Sequence, residues 1–274
     1  CPETRRIARV RSQEYLRLLE KAGPECMGLE HAINPEVEAA RALWRRLQVP
    51  AAEDVRDFFD GLVRLTAFTV EQKAPAAGRK LSDLAQDLEK ALVVAVERAG
   101  SMTIPRGEDS LQPGDYVWTC CEADRVSRVA ALMGKKPTPM HRAALFGGGS
   151  VGFHLARLLR KEGIPVKLIE PDRARCEELA GQLPGAVVLH GQAMDLKLLQ
   201  EEEIGQSSAF IAATEDDEDN LLSSLLALRQ GVPKVMALME RTDYQSVLPT
   251  LGLSHVVSKN MTAVGMILAH IRRG

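Results

Sequence analysis

Residues 143–159, "AALFGGGSVGFHLARLL", place an apolar tetrapeptide, three consecutive glycines and an amphipathic run in immediate succession. Within the stretch, Gly147-x-Gly149-x-x-Gly152 has the spacing of a dinucleotide fingerprint. Glycine is common in any strand-to-helix turn, so the pattern gains meaning only from its surroundings.

Downstream, "AALF" (143–146), "VKLIE" (166–170), "AVVLH" (186–190), "AFIAAT" (209–214), "KVMALM" (234–239) and "HVVS" (255–258) read as strands. Their near-continuous apolar character suits strands buried on both faces of a parallel sheet. Val151, Leu155, Leu158 and Leu159 mark one helix face between them. Leu221, Leu222, Leu225 and Leu228 mark another, behind the N-terminal acids Asp216 and Asp217. The alternation predicts an α/β fold with a Rossmann-like, doubly wound parallel sheet.

In that setting the glycines follow a first strand and open the first helix. Gly147 allows the tight turn, Gly149 lets backbone approach a pyrophosphate, and Gly152 lets the helix pack closely on the sheet. The amides of Ser150 and Val151 would then face phosphate from a helix N-terminus. Glu170 ends the second strand, where a carboxylate can accept both ribose hydroxyls and repel a 2′-phosphate. This favours NAD(H) or an adenosine nucleotide over NADP(H). Thr214 stands at the carboxyl end of a central strand, facing the ligand crevice by the switch-point rule. The competing reading is a glycine-rich turn in a Rossmann-like domain that holds no nucleotide.

"TEDDEDN" (214–220) lacks the central glycine and terminal bidentate glutamate of a calcium loop, so it reads as a solvated helix start, and no metal is expected. His190 and His255, at strand ends, read as structural. A dehydrogenase needs an acid–base group poised over the nicotinamide, and none is visible, nor is a nucleophile elbow or a Walker loop. The expectation is binding without chemistry, not an enzyme.

The composition limits the partners. Among 274 residues, 4% are aromatic and the net charge is -2, which argues against a nucleic acid. No apolar run reaches membrane-spanning length, and no signal peptide opens the chain. Five cysteines (Cys1, Cys26, Cys120, Cys121, Cys176) form no C-x-x-C pair and read as reduced thiols. The first residue is not Met, so the chain is expected to be processed or to be a piece of something longer.

An internal repeat sets the organisation. "ARVRSQEYLRLLEKAG" (8–23) matches "ALMERTDYQSVLPTLG" (237–252), at an offset of 229. "LEHAINPEVEAARAL" (29–43) matches "LSHVVSKNMTAVGMI" (253–267), at an offset of 224. Residues 1–49 therefore read as the end of an earlier Rossmann-like unit, and 140–274 as a second one. Between them, 50–139 reads as a small α/β module rich in antiparallel pairing. "GLVRLTAFTV" (61–70) alternates as a half-buried strand. Residues 90–121 look like two strands joined by "PRGED" and "QPGD" turns, and Arg125–Met133 suits a short helix. "GKKPTPMHR" (134–142) reads as a linker.

Together these pieces resemble the TrkA family, the peripheral regulatory subunits of bacterial Trk potassium uptake systems, whose nucleotide-binding units are of the RCK/KTN class. The resemblance is carried by "GGGSVGFHLARLL", "VKLIEPDRARCEEL", "AVVLHGQAMD", "AFIAATEDDEDNLLSSLLAL" and "IPRGEDSLQPGD", and covers nearly the whole chain. It implies an RCK N-type unit and an RCK C-type module that sense NAD(H), or ATP/ADP. It further implies homo-oligomerisation through Rossmann-like units and control of a TrkH-like membrane channel subunit from the cytoplasmic side. By position it assigns ligand contacts to Gly147, Gly149, Ser150, Val151, Glu170 and Thr214, with Asn220 ordering the loop. Gln192 and Ala193 fall where the family has Asp-Ala beside the adenine, so Gln192 is a departure. Leu238 is another, standing where many members have Arg; the earlier copy has Arg9 there. A Kef-type or related cation transporter domain and an NAD-dependent oxidoreductase are the rival readings.

Overall fold

The computed structural model describes residues 6–10, 12–49, 52–58, 62–136, 139–244, 248–253 and 255–272. Two compact units result, one from residues 1–44 with 140–274 and one from 45–139. The first unit opens with β1 (Ile7–Arg9), α1 (Gln13–Ala22), β2 (His31–Ile33) and α2 (Pro35–Gln48). β1 and β2 form a two-stranded parallel pair.

The unit of 45–139 contains β3 (Asp54–Phe58), β4 (Val63–Thr69), α3 (Leu81–Leu88), β5 (Leu92–Arg98), β6 (Ser101–Thr103), β7 (Tyr116–Glu122) and α4 (Val126–Leu132). Its strands make an antiparallel sheet in the order β3-β4-β7-β5-β6. Where two strands were expected over 90–121, there are three. The extra one arises because Ala99 and Gly100, with φ of +50° and +78°, turn β5 straight back onto β6. Two consecutive positive-φ residues match the twist of a tight hairpin, and an Ala-Gly pair gives little warning of it. Phe68, Leu84, Leu111, Val117 and Met133 are buried in this unit's core. Residues 137 and 138 of the expected linker lie outside the described residues.

Arg98 clamps this module's loop. Its Nε and Nη2 donate to the two oxygens of Asp115 at 2.6 and 2.7 Å, and Asp115 also accepts from the Gln112 N–H at 2.7 Å. Burial of Asp115 works to raise its pKa, but the Arg98 pairing and the Gln112 N–H outweigh it and hold the carboxyl below its ordinary value. A lowered folded-state pKa contributes stability that is present above the unfolded pKa and is lost as pH falls through the folded one. Asp115→Ala should therefore cost the module about 1–2 kcal/mol at neutral pH, since the Arg98 left behind is half exposed and solvated. Denaturant melts of variant and parent should converge as pH drops below about 4; a pH-independent difference would refute this account.

After the module come β8 (Ala143–Phe146), α5 (Ser150–Lys161), β9 (Val166–Glu170), α6 (Arg173–Gln182), β10 (Val187–His190), α7 (Leu196–Glu201), β11 (Ala209–Ala212), α8 (Asp217–Arg229), β12 (Val235–Leu238), β13 (His255–Val257) and α9 (Lys259–Arg272). The six strands are all parallel, in the order β10-β9-β8-β11-β12-β13. This is the doubly wound arrangement, with its switch point beside β8. Every residue of β8, β11 and β12 is buried, as the continuous apolar runs predict.

The helices follow expectation less closely. On α5, Val151, Leu155 and Leu159 are buried and Leu158 is half-buried. On α8 the buried face is Asp217, Asn220, Ser223, Ser224 and Ala227, not the leucine stripe. Leu221, Leu225 and Leu228 flank it half-buried, and Leu222 is exposed. Small side chains let this helix lie close to β11 and β12, and the leucines pack down on either side.

The repeat is carried into strand register. β1 pairs with β2 as Ile7↔His31, Ala8↔Ala32 and Arg9↔Ile33. β12 pairs with β13 as Met236↔His255, Ala237↔Val256 and Leu238↔Val257. Shifting β1 by 229 residues and β2 by 224 carries one register onto the other, and the second shift also carries α2 onto α9. The next backbone bond repeats as well: Val10 N–H donates to Ile33 O, and Met239 N–H to Val257 O, both at 2.9 Å. Burial does not repeat. Ala40 and Leu43 of α2 are fully buried, whereas Val264 and Ile267 of α9 are exposed.

Candidate functional site

At the switch point lies an open crevice of about 180 Å³. Its wall includes Gly147, Gly149, Ser150, Val151, Glu170 and Thr214, six of the nine residues singled out from the sequence. The turn that shapes it begins at Gly147, whose φ of +96° is in the left-handed region. A Cβ there would meet Ala213 O and Thr214 at 2.9 Å. Gly152 is held more tightly, because a Cβ on it would overlap the Gly147 carbonyl oxygen. Gly149, with nothing near its absent side chain, leaves open space in front of α5.

The start of α5 differs from its neighbours. α6, α7 and α8 each carry an aspartate cap: Asp172 accepts from Arg175 N–H, Asp195 from Lys197 and Leu198 N–H, and Asp216 from Asp219 N–H. α5 begins at Gly149 with no side-chain cap. No side chain of the described residues caps its first amides, and with the helix dipole behind them they are suited to an anion.

Glu170 is buried against the turn. Its Oε2 accepts from Gly148 N–H at 2.6 Å and its Oε1 from Asp172 N–H at 3.0 Å. The carboxylate thus braces the fingerprint loop as well as lining the crevice, a role that strand-end position alone did not reveal. Thr214 is held by Asn220. The Asn220 Oδ1 accepts from Thr214 N–H at 3.0 Å and lies 2.8 Å from its hydroxyl, while Nδ2 donates to Thr214 O and Leu238 O. Asn220 is fully buried behind the wall, not on it. Gln192 is exposed and Ala193 buried, and neither lines the crevice.

Some of the wall went unread in the sequence. Lys259 opens α9 after the last strand, and the rule that ligands sit at strand carboxyl ends could have flagged it. Pro171, Ala213 and Glu215 adjoin residues already singled out. Glu36 reaches the same wall from the start of α2, and nothing local to the fingerprint points to it. Leu238 lines the crevice too, so the position where the resemblance expects an Arg is apolar. Two acids of "TEDDEDN" are engaged in structure: Asp217 accepts from Glu240 and Arg241 N–H, and Glu218 from Arg241 Nη1 and Tyr244 OH. Among the described residues no cluster of His, Cys, Asp or Glu could hold a metal ion, and no helix is long and apolar enough to cross a membrane. His190 Nε2 lies 3.0 Å from Pro171 O, and the described cysteines are free thiols.

Fold and crevice define a Rossmann-type unit with a glycine turn at its switch point. Residues 143–259 match the TrkA-N domain and residues 65–134 the TrkA-C domain, together more than half of the chain. The chain belongs to the TrkA family. It is 32% identical, over 98% of its length, to the Trk system potassium uptake protein TrkA of Azorhizobium caulinodans, and 33% identical over 98% to that of Vibrio alginolyticus. It spans 60% and 59% of those relatives. Among solved structures it resembles the GsuK channel bound to NAD, with a TM-score of 0.63 at 21% identity, covering 98% of this chain and 48% of that one. The GsuK RCK domain gives 0.61 at 20%, covering 97% and 56%. These likenesses are of fold.

Proposed function

We propose that this chain is the sensing part of a regulatory subunit of potassium uptake, and that its crevice binds NAD(H) or another adenine nucleotide without transforming it. The observation that carries the reading is the uncapped start of α5 behind a glycine turn, next to a carboxylate at the end of β9. The crevice encloses the phosphate and ribose of such a ligand and leaves its bases outside. The α5 amides and Lys259 face the pyrophosphate, and Glu170 accepts from ribose hydroxyls with the lone pairs its own loop leaves free. The relatives are named as potassium uptake proteins, not as enzymes.

Regulation follows from linkage. A nucleotide shifts a conformational equilibrium only through its different affinity for the two states, and a ratio of about 5–150-fold corresponds to roughly 1–3 kcal/mol of coupling. In this reading the coupled partner is a TrkH-like channel subunit, and the chain works at the cytoplasmic face of the membrane. Calorimetric titration with NADH, NAD, NADPH and ATP tests the ligand. Saturable NADH binding is expected, and no heat from any of the four would refute the reading.

Glu170→Gln removes the charge that repels a 2′-phosphate while keeping one oxygen for Gly148. The preference for NADH over NADPH should narrow about tenfold, a like-charge contact at this range being worth about 1.4 kcal/mol. Equal affinities in the parent chain would contradict this role. The exposed apolar side chains of α9, Met261, Val264, Ile267 and Leu268, support self-association of the Rossmann-like units. Light scattering at micromolar concentration should give a mass above 30.0 kDa that declines on dilution; a constant monomer would overturn it.

A further inference from the structure

We propose that the groove beside the C-terminal half of α5 is a second ligand site, separate from the crevice, for a small polyanion carrying two or more phosphate groups. The groove measures about 570 Å³, within the usual size of a small-molecule pocket. Arg41, His154, Arg157, Arg160 and Lys161 line it, and among the described residues no carboxylate does. On a chain of net charge -2 this is a local concentration of one sign.

Arg157, Arg160 and Lys161 stand at i, i+3 and i+4, hence on one face of α5. None of the three has an acidic partner within ion-pair reach among the described residues. Like charges so spaced destabilise a helix slightly. The helix dipole accounts for cations in the last turn, Arg160 and Lys161, but not for Arg157. The Arg160 Nε is buried without a hydrogen-bond partner, a cost that a bound acceptor would remove.

The heads are also positioned. Arg157 lies 5.8 Å over the Phe153 ring, and Arg41 donates to Glu38 at 2.6 Å. Gly185, with φ of +79°, gives the Arg160 guanidinium room that any Cβ there would take. Leu158 and Leu183 add an apolar wall for the organic part of a ligand. A concave site with converging guanidinium groups suits compact phosphates better than a flat membrane or protein surface.

The test is calorimetric titration of the full chain with inorganic tripolyphosphate at low salt, with and without saturating NADH. Saturable binding is expected in both conditions. The double variant Arg157→Glu/Lys161→Glu, whose side chains are exposed, should weaken it at least tenfold and leave NADH affinity within twofold. Arg160→Gln should weaken it several-fold. Absence of saturable binding would overturn the proposal. So would loss of binding on adding NADH, which would move the anion to the crevice, or indifference to the variants. Variant-sensitive binding to phosphatidylglycerol vesicles without tripolyphosphate binding would assign the face to a membrane instead. A changed light-scattering mass in the double variant, with tripolyphosphate binding lost, would assign it to a contact between copies.

Discussion

Alanine at position 152 is expected to destabilise the nucleotide unit by about 3 kcal/mol or more, the upper range of overpacking. The added methyl would overlap the Gly147 carbonyl oxygen. That oxygen belongs to backbone whose N–H is bonded to Ile169 O at 2.9 Å and whose φ is +96°. It can yield only by undoing the turn. On an unconstrained helix the same change would stabilise by up to about 1 kcal/mol, because alanine is the better helix former. The sign is therefore diagnostic. A fall in Tm of roughly 6–12 °C is expected for a unit of this size, together with lost nucleotide binding. An unchanged or higher Tm would mean that the helix does not approach the turn this closely.

The contrast between Gly152 and its neighbours explains what was legible beforehand. Strand positions were readable because β8, β11 and β12 are buried on both faces, which leaves only apolar residues acceptable. The repeat was readable for a related reason: β1–β2 and β12–β13 keep one register, and changing it would turn every side chain to the other face. α8 was misread because its contact with the sheet is made by Ser223, Ser224 and Ala227, and small residues at a close contact carry no hydrophobic signal. The β5–β6 hairpin was missed because it rests on a positive φ at Ala99, which residue type does not advertise.

The crevice was legible in part, and the division is again physical. Residues that make the turn announce themselves, since only glycine fits at 147 and 152. Residues that arrive from elsewhere do not. Glu36 comes from the end of the earlier copy, and Lys259 from a helix start with no motif. Gln192 was placed by resemblance at a position that is exposed and does not line the crevice. Glu170 was found by position, yet its bonds to Gly148 and Asp172 N–H tie ligand contact to loop integrity in one side chain. This is why the neutral Gln, not Ala, is the informative substitution there.

Valine at position 149 is expected to do the opposite of alanine at 152: keep the fold and remove the ligand. Gly149 has φ of -61°, open to any residue, and a Cβ on it meets nothing within 4 Å. The cost to the protein is limited to exchanging glycine for a poor N-cap residue, about 1 kcal/mol. Tm should fall by only a few degrees. The isopropyl group would nevertheless occupy the space in front of the Ser150 and Val151 amides, where phosphate oxygens must come within hydrogen-bond distance. Losing several charge-assisted bonds, each worth about 1.5–3 kcal/mol, should weaken NADH at least about a hundredfold. Calorimetry and melting curves on the two variants side by side separate the causes. If Gly149→Val binds NADH as the parent does, no phosphate sits at this turn and the crevice assignment fails. If its Tm falls as far as that of Gly152→Ala, the space in front of α5 is filled by the chain itself, and the helix start is not available to any anion.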